Sequence, residues 1–135
     1  MTNNNFQNSR QFKGRSLLAC PSDYTVIDVE TTDFNFFYGD IIEVGAIKVR
    51  SNSVVDQYSE LIKIPYSIPP HISVITGITN EMLINARKAD DVLADFTDFI
   101  ADDILIAHNA NFDVNFLYDL IDSLKMKPLS NDFVD

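Results

Sequence analysis

The sequence predicts one α/β domain, with a mixed sheet and helices packed on it. Two features indicate this class. The first half contains three consecutive strand-like segments that follow one another closely, and the second half alternates helical and strand-like segments. The 135 residues, of which 46% are hydrophobic, are enough for one core. We therefore expect a domain over residues 21–135, preceded by a disordered or mobile tail over residues 1–20, which are rich in Asn, Gln, Ser and basic residues.

Three strands are predicted to open the domain. Residues 24–30 are mostly β-branched or aromatic, and residues 41–49 form a continuous apolar run that indicates burial on both faces. Residues 54–64 are more polar and are typical of an edge strand. The loop FNFFYGD, residues 34–40, separates the first two strands, and the short connections favour an antiparallel meander.

Helical spacing begins after the proline-rich stretch at residues 65–70, which breaks the strand pattern. Thr79 can cap a short helix over about residues 80–87. Residues 89–100 repeat apolar side chains at helical spacing and predict a one-faced helix. The apolar positions of that helix are Val92, Leu93, Phe96, Phe99 and Ile100.

The last third is predicted to contain a buried strand, a longer helix and the start of a fifth strand. The strands are ILIA at residues 104–107 and NDFVD at residues 131–135. Asn111 is expected to cap the helix between them. Its apolar stripe consists of Phe112, Phe116, Leu117, Leu120, Ile121 and Leu124.

The net charge of −10 offers no basic surface to attract nucleic acid at long range. Binding to phosphates would therefore need metal ions or a few local donors. Cys20 is the only cysteine, which excludes an intrachain disulfide and favours a reducing compartment. No apolar run approaches the roughly 20 residues of a membrane helix. We expect a cytoplasmic protein without membrane contact.

Three acidic residues are the candidate functional groups. Asp28 and Glu30 are two positions apart in the first strand, so they point to the same face. On position alone they could be the exposed side of a half-buried strand. Asp113, however, lies on the apolar stripe of its helix, which offers no Lys or Arg partner. A core-facing carboxylate needs compensation, and a bound cation would provide it.

If the three acids converge, their chemistry predicts a metal site. Carboxylate oxygens suit Mg²⁺ or Mn²⁺, whereas the absence of paired histidines and of cysteine at these positions makes zinc an unlikely occupant. One carboxylate can bridge two ions about 3.5–4 Å apart, an arrangement used to cleave phosphodiesters. The acids then act as ligands presented from a rigid strand and helix.

Two motifs resemble those of the DEDD (DnaQ-like) 3′–5′ exonucleases. VIDVETT, residues 26–32, resembles the first motif, Asp-x-Glu-Thr-Thr, and ILIAHNANFDVNFL, residues 104–117, resembles the second. The intervening segments DIIEVGAIKV and IPPHISVITGITNEML also resemble the family's pattern. The resemblance covers about residues 23–135. It is strongest to the epsilon-subunit and PolC-type branches of the family, which serve bacterial DNA polymerase III.

This resemblance implies a ribonuclease H-like fold and stepwise hydrolysis of nucleic acid from the 3′ end to nucleoside monophosphates. Asp28, Glu30 and Asp113 are then catalytic residues that hold two Mg²⁺ or Mn²⁺ ions. The implied substrate-binding residues are Thr31, Thr32, Phe34, His108, Asn109 and Phe112. The implied partners are a single-stranded or frayed 3′ end of DNA, with RNA possible, and a DNA polymerase or another replication or repair protein.

The chain departs from the family pattern at its first motif and at its third. Asp33 and Phe34 replace the usual Gly and Leu, so Phe34 could stack on a base, or its loop could fold onto the domain. No third motif, with its general base and fourth carboxylate, lies among the 135 residues. We expect His108 to have a capping or core-packing role rather than to be the base, and His71 to lie in a loop.

The missing motif predicts a domain whose C-terminal part is missing, with weak or no activity and an uncovered core surface that favours self-association. The first functional hypothesis is a DNA exonuclease of the proofreading or repair type. The second is a non-catalytic module that keeps the fold as a binding platform for nucleic acid or protein. An exoribonuclease is a third, because nothing in the sequence places a contact to the 2′-hydroxyl.

Overall fold

A computed structural model describes residues 10–35 and 37–135 as a five-stranded sheet with four helices. In chain order the elements are β1 Tyr24–Thr31, β2 Ile41–Arg50, β3 Ser53–Leu61, α1 Pro70–Thr76, α2 Asn80–Ile84, α3 Ala89–Ile100, β4 Leu105–Ile106, α4 Ala110–Ser123 and β5 Phe133–Val134. None of these helices is long and apolar enough to cross a membrane.

The sheet is mixed, as predicted, with strand order β3-β2-β1-β4-β5. The first three strands form an antiparallel meander, and β4 and β5 continue the sheet in parallel with β1. Because α3 and α4 lie between strands of this sheet in the sequence, the second half is built from alternating elements. This order places β1 at the centre, between β2 and β4.

The main core lies between the sheet and the apolar stripes of α3 and α4. Val92, Leu93, Phe96 and Ile100 of α3 are buried, as the spacing predicts, and Phe99 is partly buried. The stripe of α4 is also confirmed: Phe116, Leu117 and Ile121 are buried, and Phe112, Leu120 and Leu124 pack against the core. The helices therefore follow the periodicity of their apolar residues.

The structure differs from the predicted elements at three helix boundaries. A helix, α1, forms after the proline-rich stretch because Pro70 fits the first helical turn, so His71 lies in a helix rather than in a loop. Thr79 caps α2 as predicted, but α2 ends at Ile84. The predicted cap at Asn111 is wrong: α4 begins at Ala110, one residue before it.

The second strand is not buried on both faces along its whole length, contrary to the prediction. Ile47 of β2 is 40% exposed, and Val54 and Val55 of the neighbouring strand are 68% and 56% exposed. These three side chains do not belong to the buried clusters that the described residues form. The edge position of β3 is confirmed.

Part of the predicted tail packs on the domain. Residues 1–9 lie outside the described residues, but Arg10 donates two hydrogen bonds to Asp119 of α4, at 2.9 and 2.8 Å. Further along, the Phe133 N–H donates to the Arg15 carbonyl at 3.0 Å, and the Leu17 N–H donates to the Phe133 carbonyl at 2.8 Å. Residues 10–17 therefore follow α4 and the outer edge of β5, held by an ion pair and by backbone hydrogen bonds.

A partly buried polar network links the base of the central strands. Asp103 accepts hydrogen bonds from Arg50 at 2.8 and 2.9 Å and from the Thr25 hydroxyl at 2.7 Å.

We expect Asp103→Ala to lower the free energy of unfolding by about 2–3 kcal/mol, because the fully buried Thr25 loses its acceptor. Urea unfolding measures this loss. Asp95→Ala, which breaks the exposed Arg87–Asp95 ion pair, should lower the free energy of unfolding much less. An equal loss of stability in the two variants would contradict a stabilising role for the Asp103 network.

Candidate active site

The end of the central strand presents two acids toward a cavity beside α4. Asp28 is exposed and Glu30 is half-buried, and both line this cavity, as their alternation in β1 predicts. Glu30 is paired across the antiparallel ladder with Glu43 of β2, next to an irregularity in the register. Directly opposed like charges destabilise a sheet unless a proton or a cation compensates them.

Helix α4 brings the third acid to the same place. Asp113 is only 5% exposed, in the first turn of α4, and its Oδ2 accepts a hydrogen bond from the Val29 N–H at 3.2 Å. Asn109, which precedes the helix, has the left-handed backbone conformation (φ 54°, ψ 55°) that Asn tolerates better than most residues. The chain turns at Asn109 into α4, and the first turn of this helix places Asp113 against the backbone of β1 at Val29.

Burial and mutual repulsion act on these carboxyl groups. Burial raises the pKa of Asp113 to about 7, with the charges of Asp28 and Glu30 adding to the increase. The pKa of Glu30 is raised by burial, then by Asp28 and Glu43. The pKa of Glu43 is raised for the same reasons, burial and Asp28. The four acids are thus electrostatically coupled, and a cation would relieve their repulsion.

The donor set fits a hard divalent cation by its chemistry, because it consists of carboxylates that repel one another. The present side-chain arrangement is not a closed cage. Among residues 10–35 and 37–135, no group of three or more His, Cys, Asp or Glu side chains is placed to hold a metal ion. Ligation would therefore require the acids to turn toward a common point, and Asp113 already has one oxygen on Val29.

The cavity beside the acids has a volume of about 280 Å³ and collects most of the sequence-predicted site residues. Those that line it are Asp28, Glu30, Thr31, Phe34, His108, Asn109, Phe112 and Asp113. Thr32 is not brought to the cavity. It is 8% exposed, and its hydroxyl accepts from the Asp40 N–H at 2.9 Å and contacts the Tyr66 hydroxyl at 3.1 Å.

Two features of the site were not predicted from the sequence. Glu43 interacts with Asp28 and Glu30, and the register of the β1–β2 hairpin is the signal that could have found it. Helix α1 supplies one wall of the cavity through Ile72, Ile75 and Thr76. The Pro69–Pro70 pair indicates a break in the strand pattern, but it also marks the start of α1, because proline is common in a first helical turn.

Three aromatic side chains of the loop after β1 are exposed rather than packed on the domain, which favours the first of the two interpretations for Phe34. Phe34, Phe37 and Tyr38 are 77%, 80% and 78% exposed, and Phe36 lies outside the described residues. The Phe34 ring is nevertheless 6.2 Å from that of Phe112, centroid to centroid. Phe34 therefore stands at the rim of the cavity, where a base could contact it.

His108 and Asn109 occupy the turn between β4 and α4. His108 is exposed and lines the cavity, so the predicted capping or core-packing role is wrong. The Asn109 N–H donates to Asp135 at 2.8 Å, and Asn109 makes no side-chain cap to the helix. Both polar side chains are thus available to a ligand in the cavity.

Comparisons with known proteins found a family model and relatives that match most of this chain. The family model described as Exonuclease, RNase_T, matches residues 25–135. The PolC-type DNA polymerase III of Thermotoga maritima is 47% identical over 94 residues, which are 70% of this chain and 7% of that protein. The DNA polymerase III subunit epsilon of Treponema pallidum is 39% identical over 112 residues, which are 83% of this chain and 52% of that protein.

A solved structure shares the architecture at low sequence identity. E. coli exonuclease I, in complex with a dT13 oligonucleotide, superposes with a TM-score of 0.74 and 18% identity, covering 85% of this chain and 28% of that one. This likeness shows the fold, and it confirms the expected ribonuclease H-like sheet with flanking helices. The chain spans between 7% and about half of the length of the two relatives described above.

Proposed function

The chain belongs to the exonuclease family whose model matches residues 25–135, and from this premise we propose that it hydrolyses nucleic acid stepwise from the 3′ end. The substrate is a single-stranded or frayed end of DNA, and the products are nucleoside monophosphates. We propose DNA rather than RNA as the substrate because the two relatives are named DNA polymerase III PolC-type and DNA polymerase III subunit epsilon.

One observation carries this proposal: a buried acid of α4 meets two acids of the central strand at a cavity. Asp113 is almost inaccessible, yet the charges of Asp28 and Glu30 reach it strongly enough to raise its pKa further. A solvent-exposed strand face would not place a third acid in the core. A protein that used this fold only as a binding platform would have no use for three coupled acids, and no observation favours that alternative.

Asp28, Glu30 and Asp113 are the residues that would hold Mg²⁺ or Mn²⁺, with two ions in the complete domain. Divalent ions bound there would activate a water for attack on the terminal phosphodiester and stabilise the leaving 3′ oxygen. The chain's own part is to present rigid ligands. Asp28 and Glu30 are fixed by the sheet, and Asp113 by the first turn of α4.

The other residues around the cavity are assigned to the terminal nucleotide. Phe34 and Phe112 offer aromatic surface to a base, and His108 and Asn109 offer polar groups at the turn before α4. The Thr31 hydroxyl donates to the Asp33 carbonyl at 2.8 Å, so Thr31 shapes the backbone that approaches the nucleotide. Thr32 contributes by holding the loop through Asp40 rather than by touching the substrate.

Residues 1–20 and 21–135 remain our proposed division into tail and domain, with residues 10–17 held against the domain. The exposed part of the sheet at Ile47 and Val54 is the surface where self-association or completion by other residues would occur. A DNA polymerase or another replication or repair protein is the proposed partner.

The direction of hydrolysis tests this function. The purified chain at high concentration is incubated with Mg²⁺ or Mn²⁺ and a single DNA strand labelled at its 5′ end. We expect a ladder of strands shortened from the 3′ end, and release of nucleoside monophosphates. Internal cuts or removal of the 5′ label would contradict the proposal. Complete inactivity together with no carboxylate-dependent ion binding would support the binding module instead.

A further inference from the structure

The exposed aromatic loop between β1 and β2 points to a second contact with the substrate. We propose that Phe37 and Tyr38 form a stacking platform for bases upstream of the terminal nucleotide in a single strand. The location of this platform relative to the 3′ end rests on the proposed function. Stacking on this platform requires accessible bases. The substrate class of this site is therefore an unpaired strand.

The two side chains expose more apolar surface than folding alone would favour. Phe37 is 80% exposed and Tyr38 is 78% exposed, on the same short loop as Phe34. Single exposed apolar residues are common on protein surfaces, but a group of aromatic rings beside a cavity is typical of a binding surface. Phe and Tyr rings bind bases of any sequence because every base has a flat face.

The loop that carries these rings is held by its own polar groups. The Asn35 N–H donates to Asp33 Oδ1 at 2.9 Å, and the Phe37 N–H donates to Asn35 Oδ1 at 2.8 Å. The Gly39 N–H donates to the Asn35 carbonyl at 2.8 Å. These are the local side-chain and backbone turns by which Asx residues order loops. Phe37 is thus held to Asn35, and Asn35 to Asp33, before a strand binds, which lowers the entropic cost of binding.

Both ends of the loop are fixed to the domain. The Thr32 N–H donates to the Asp40 carbonyl, and the Asp40 N–H donates to the Thr32 hydroxyl, each at 2.9 Å. Gly39 lies so close to its neighbours that a Cβ there would be 2.8 Å from the Asp33 carbonyl oxygen and 3.1 Å from the Phe116 ring. The loop is therefore seated on α4, and its aromatic rings project from a fixed base.

Aromatic surface connects the loop to the cavity with the acids. The rings of Phe34 and Phe112 are 6.2 Å apart, and those of Phe112 and Phe116 are 4.9 Å apart. Phe116 and Phe37 line a second cavity of about 200 Å³ between the loop and α4. A strand whose last base lies at Phe34 can therefore continue along aromatic rings, beside Asp40 and Asp119, which also line the second cavity.

The charge distribution favours stacking over phosphate contacts. Of the described residues that line the two cavities, none is Lys or Arg, and Asp33 and Asp40 flank the loop. Binding with few phosphate contacts depends only weakly on salt, because few counterions are released. Stacking on Phe37 and Tyr38 would supply affinity that electrostatics does not supply in a chain with a net charge of −10. We therefore expect base-dependent binding with a shallow salt dependence.

The chain contains no tryptophan, so Phe37→Trp and Tyr38→Trp each introduce a unique fluorescent probe. Each variant is titrated, in the absence of divalent ions so that no strand is shortened, with a short oligothymidylate and with an abasic strand of equal length. We expect the oligothymidylate to quench the indole emission, and the abasic strand, which carries the same phosphates, to leave it unchanged. Raising the salt concentration should change the affinity little.

Substitutions that remove the rings measure their contribution. The double variant Phe37→Ala, Tyr38→Ala should bind the oligothymidylate at least about tenfold more weakly. Phe37→Leu should lose affinity although it stays apolar, whereas Phe37→Trp should keep it. Ile84→Ala, at an exposed apolar position of α2, is the matched control and should bind as the original chain does. Because Phe37, Tyr38 and Ile84 are exposed, circular dichroism should show unchanged folding.

Three results would overturn the platform: equal quenching by the abasic strand, unchanged affinity of the double variant, or an emission change that depends on protein concentration alone. The last result would assign the loop to an interface between copies of the chain. The binding test is independent of turnover. A chain that binds strands through the loop but never shortens them would refute the proposed function and keep the platform. A chain that shortens strands but binds them independently of Phe37 and Tyr38 would refute the platform and keep the proposed function.

Discussion

The Asp113→Asn variant is expected to be more stable than the original chain at pH 8 in the absence of divalent ions. The native pKa of Asp113 is about 7, compared with 3.8 for an unburied Asp, mainly because of burial. This difference corresponds to a cost of about 4 kcal/mol for the ionised native state. Asn avoids that charge and can still accept from the Val29 N–H. We expect a gain of about 2–4 kcal/mol, because the new amide must also find acceptors.

The pH dependence gives the sign of this effect. The native carboxyl keeps its proton up to about pH 7, whereas the unfolded one releases it near pH 3.8, so folding takes up a proton between these values. The stability that Asp113 contributes therefore falls as the pH rises through this window, and Asp113→Asn removes the fall. Urea unfolding at a series of pH values measures the difference between the two proteins.

The control for this experiment is Asp122→Asn, an exposed position near the end of the same helix. Its stability should follow that of the original chain at every pH. A difference between Asp113→Asn and the original chain that is the same at pH 4 and pH 8 would mean that ionisation of Asp113 is not responsible. Adding Mg²⁺ at pH 8 should raise the stability of the original chain much more than that of Asp113→Asn.

Asp28→Asn is expected to reduce 3′ shortening by at least about 100-fold in Mn²⁺, with little change in folding. The residue is exposed at the cavity, so its replacement removes a ligand charge without disturbing the core. Losses of about 100- to 1,000-fold are typical when one preorganised electrostatic group is removed from an active site. Single-turnover hydrolysis of the 5′-labelled strand measures the rate.

Asp102→Asn serves as the matched control for hydrolysis, because Asp102 is exposed and does not line the cavity with the acids. It should retain the original rate. If Asp28→Asn also retains it, the shortening is due to another site or to a contaminating nuclease. That outcome would remove Asp28 from the active site and with it the proposed ligand set.

Local periodicity was sufficient to predict much of the fold. The apolar stripes of α3 and α4 and the three strands of the meander follow from residue spacing, because burial of one face governs each of them. The capping residue of α4 was missed by two positions. Asn109 has a left-handed backbone conformation and makes no side-chain hydrogen bond that caps the helix. Because Asn109 and Asn111 are the same residue type, their capping propensities do not distinguish them.

Contacts between distant segments were harder to predict. The packing of Arg10 on Asp119 joins residues more than one hundred positions apart, and the low apolar content of the first twenty residues gave no sign of it. The exposure of Ile47 has a similar origin, since a continuous apolar strand looks the same whether or not a helix covers its second face.

The candidate site shows the same division. The alternation of Asp28 and Glu30 and the stripe position of Asp113 follow from regular geometry, and all three acids line one cavity. That they share divalent ions stays a prediction, because no three acids among the described residues are placed to hold an ion. Glu43 and the wall formed by α1 depend on hairpin register and on a short helix, and neither has a strong local signal. Thr32 was predicted from a motif letter alone, and its hydroxyl is used inside the fold.

Calorimetric titration of the chain with Mn²⁺ tests most directly whether Asp28, Glu30 and Asp113 share divalent ions. We predict saturable binding to the original chain and to Asp122→Asn, and affinities at least about tenfold lower for Asp28→Asn, Glu30→Gln and Asp113→Asn. Binding that is absent from the original chain, or that is unchanged by all three substitutions, would contradict the account.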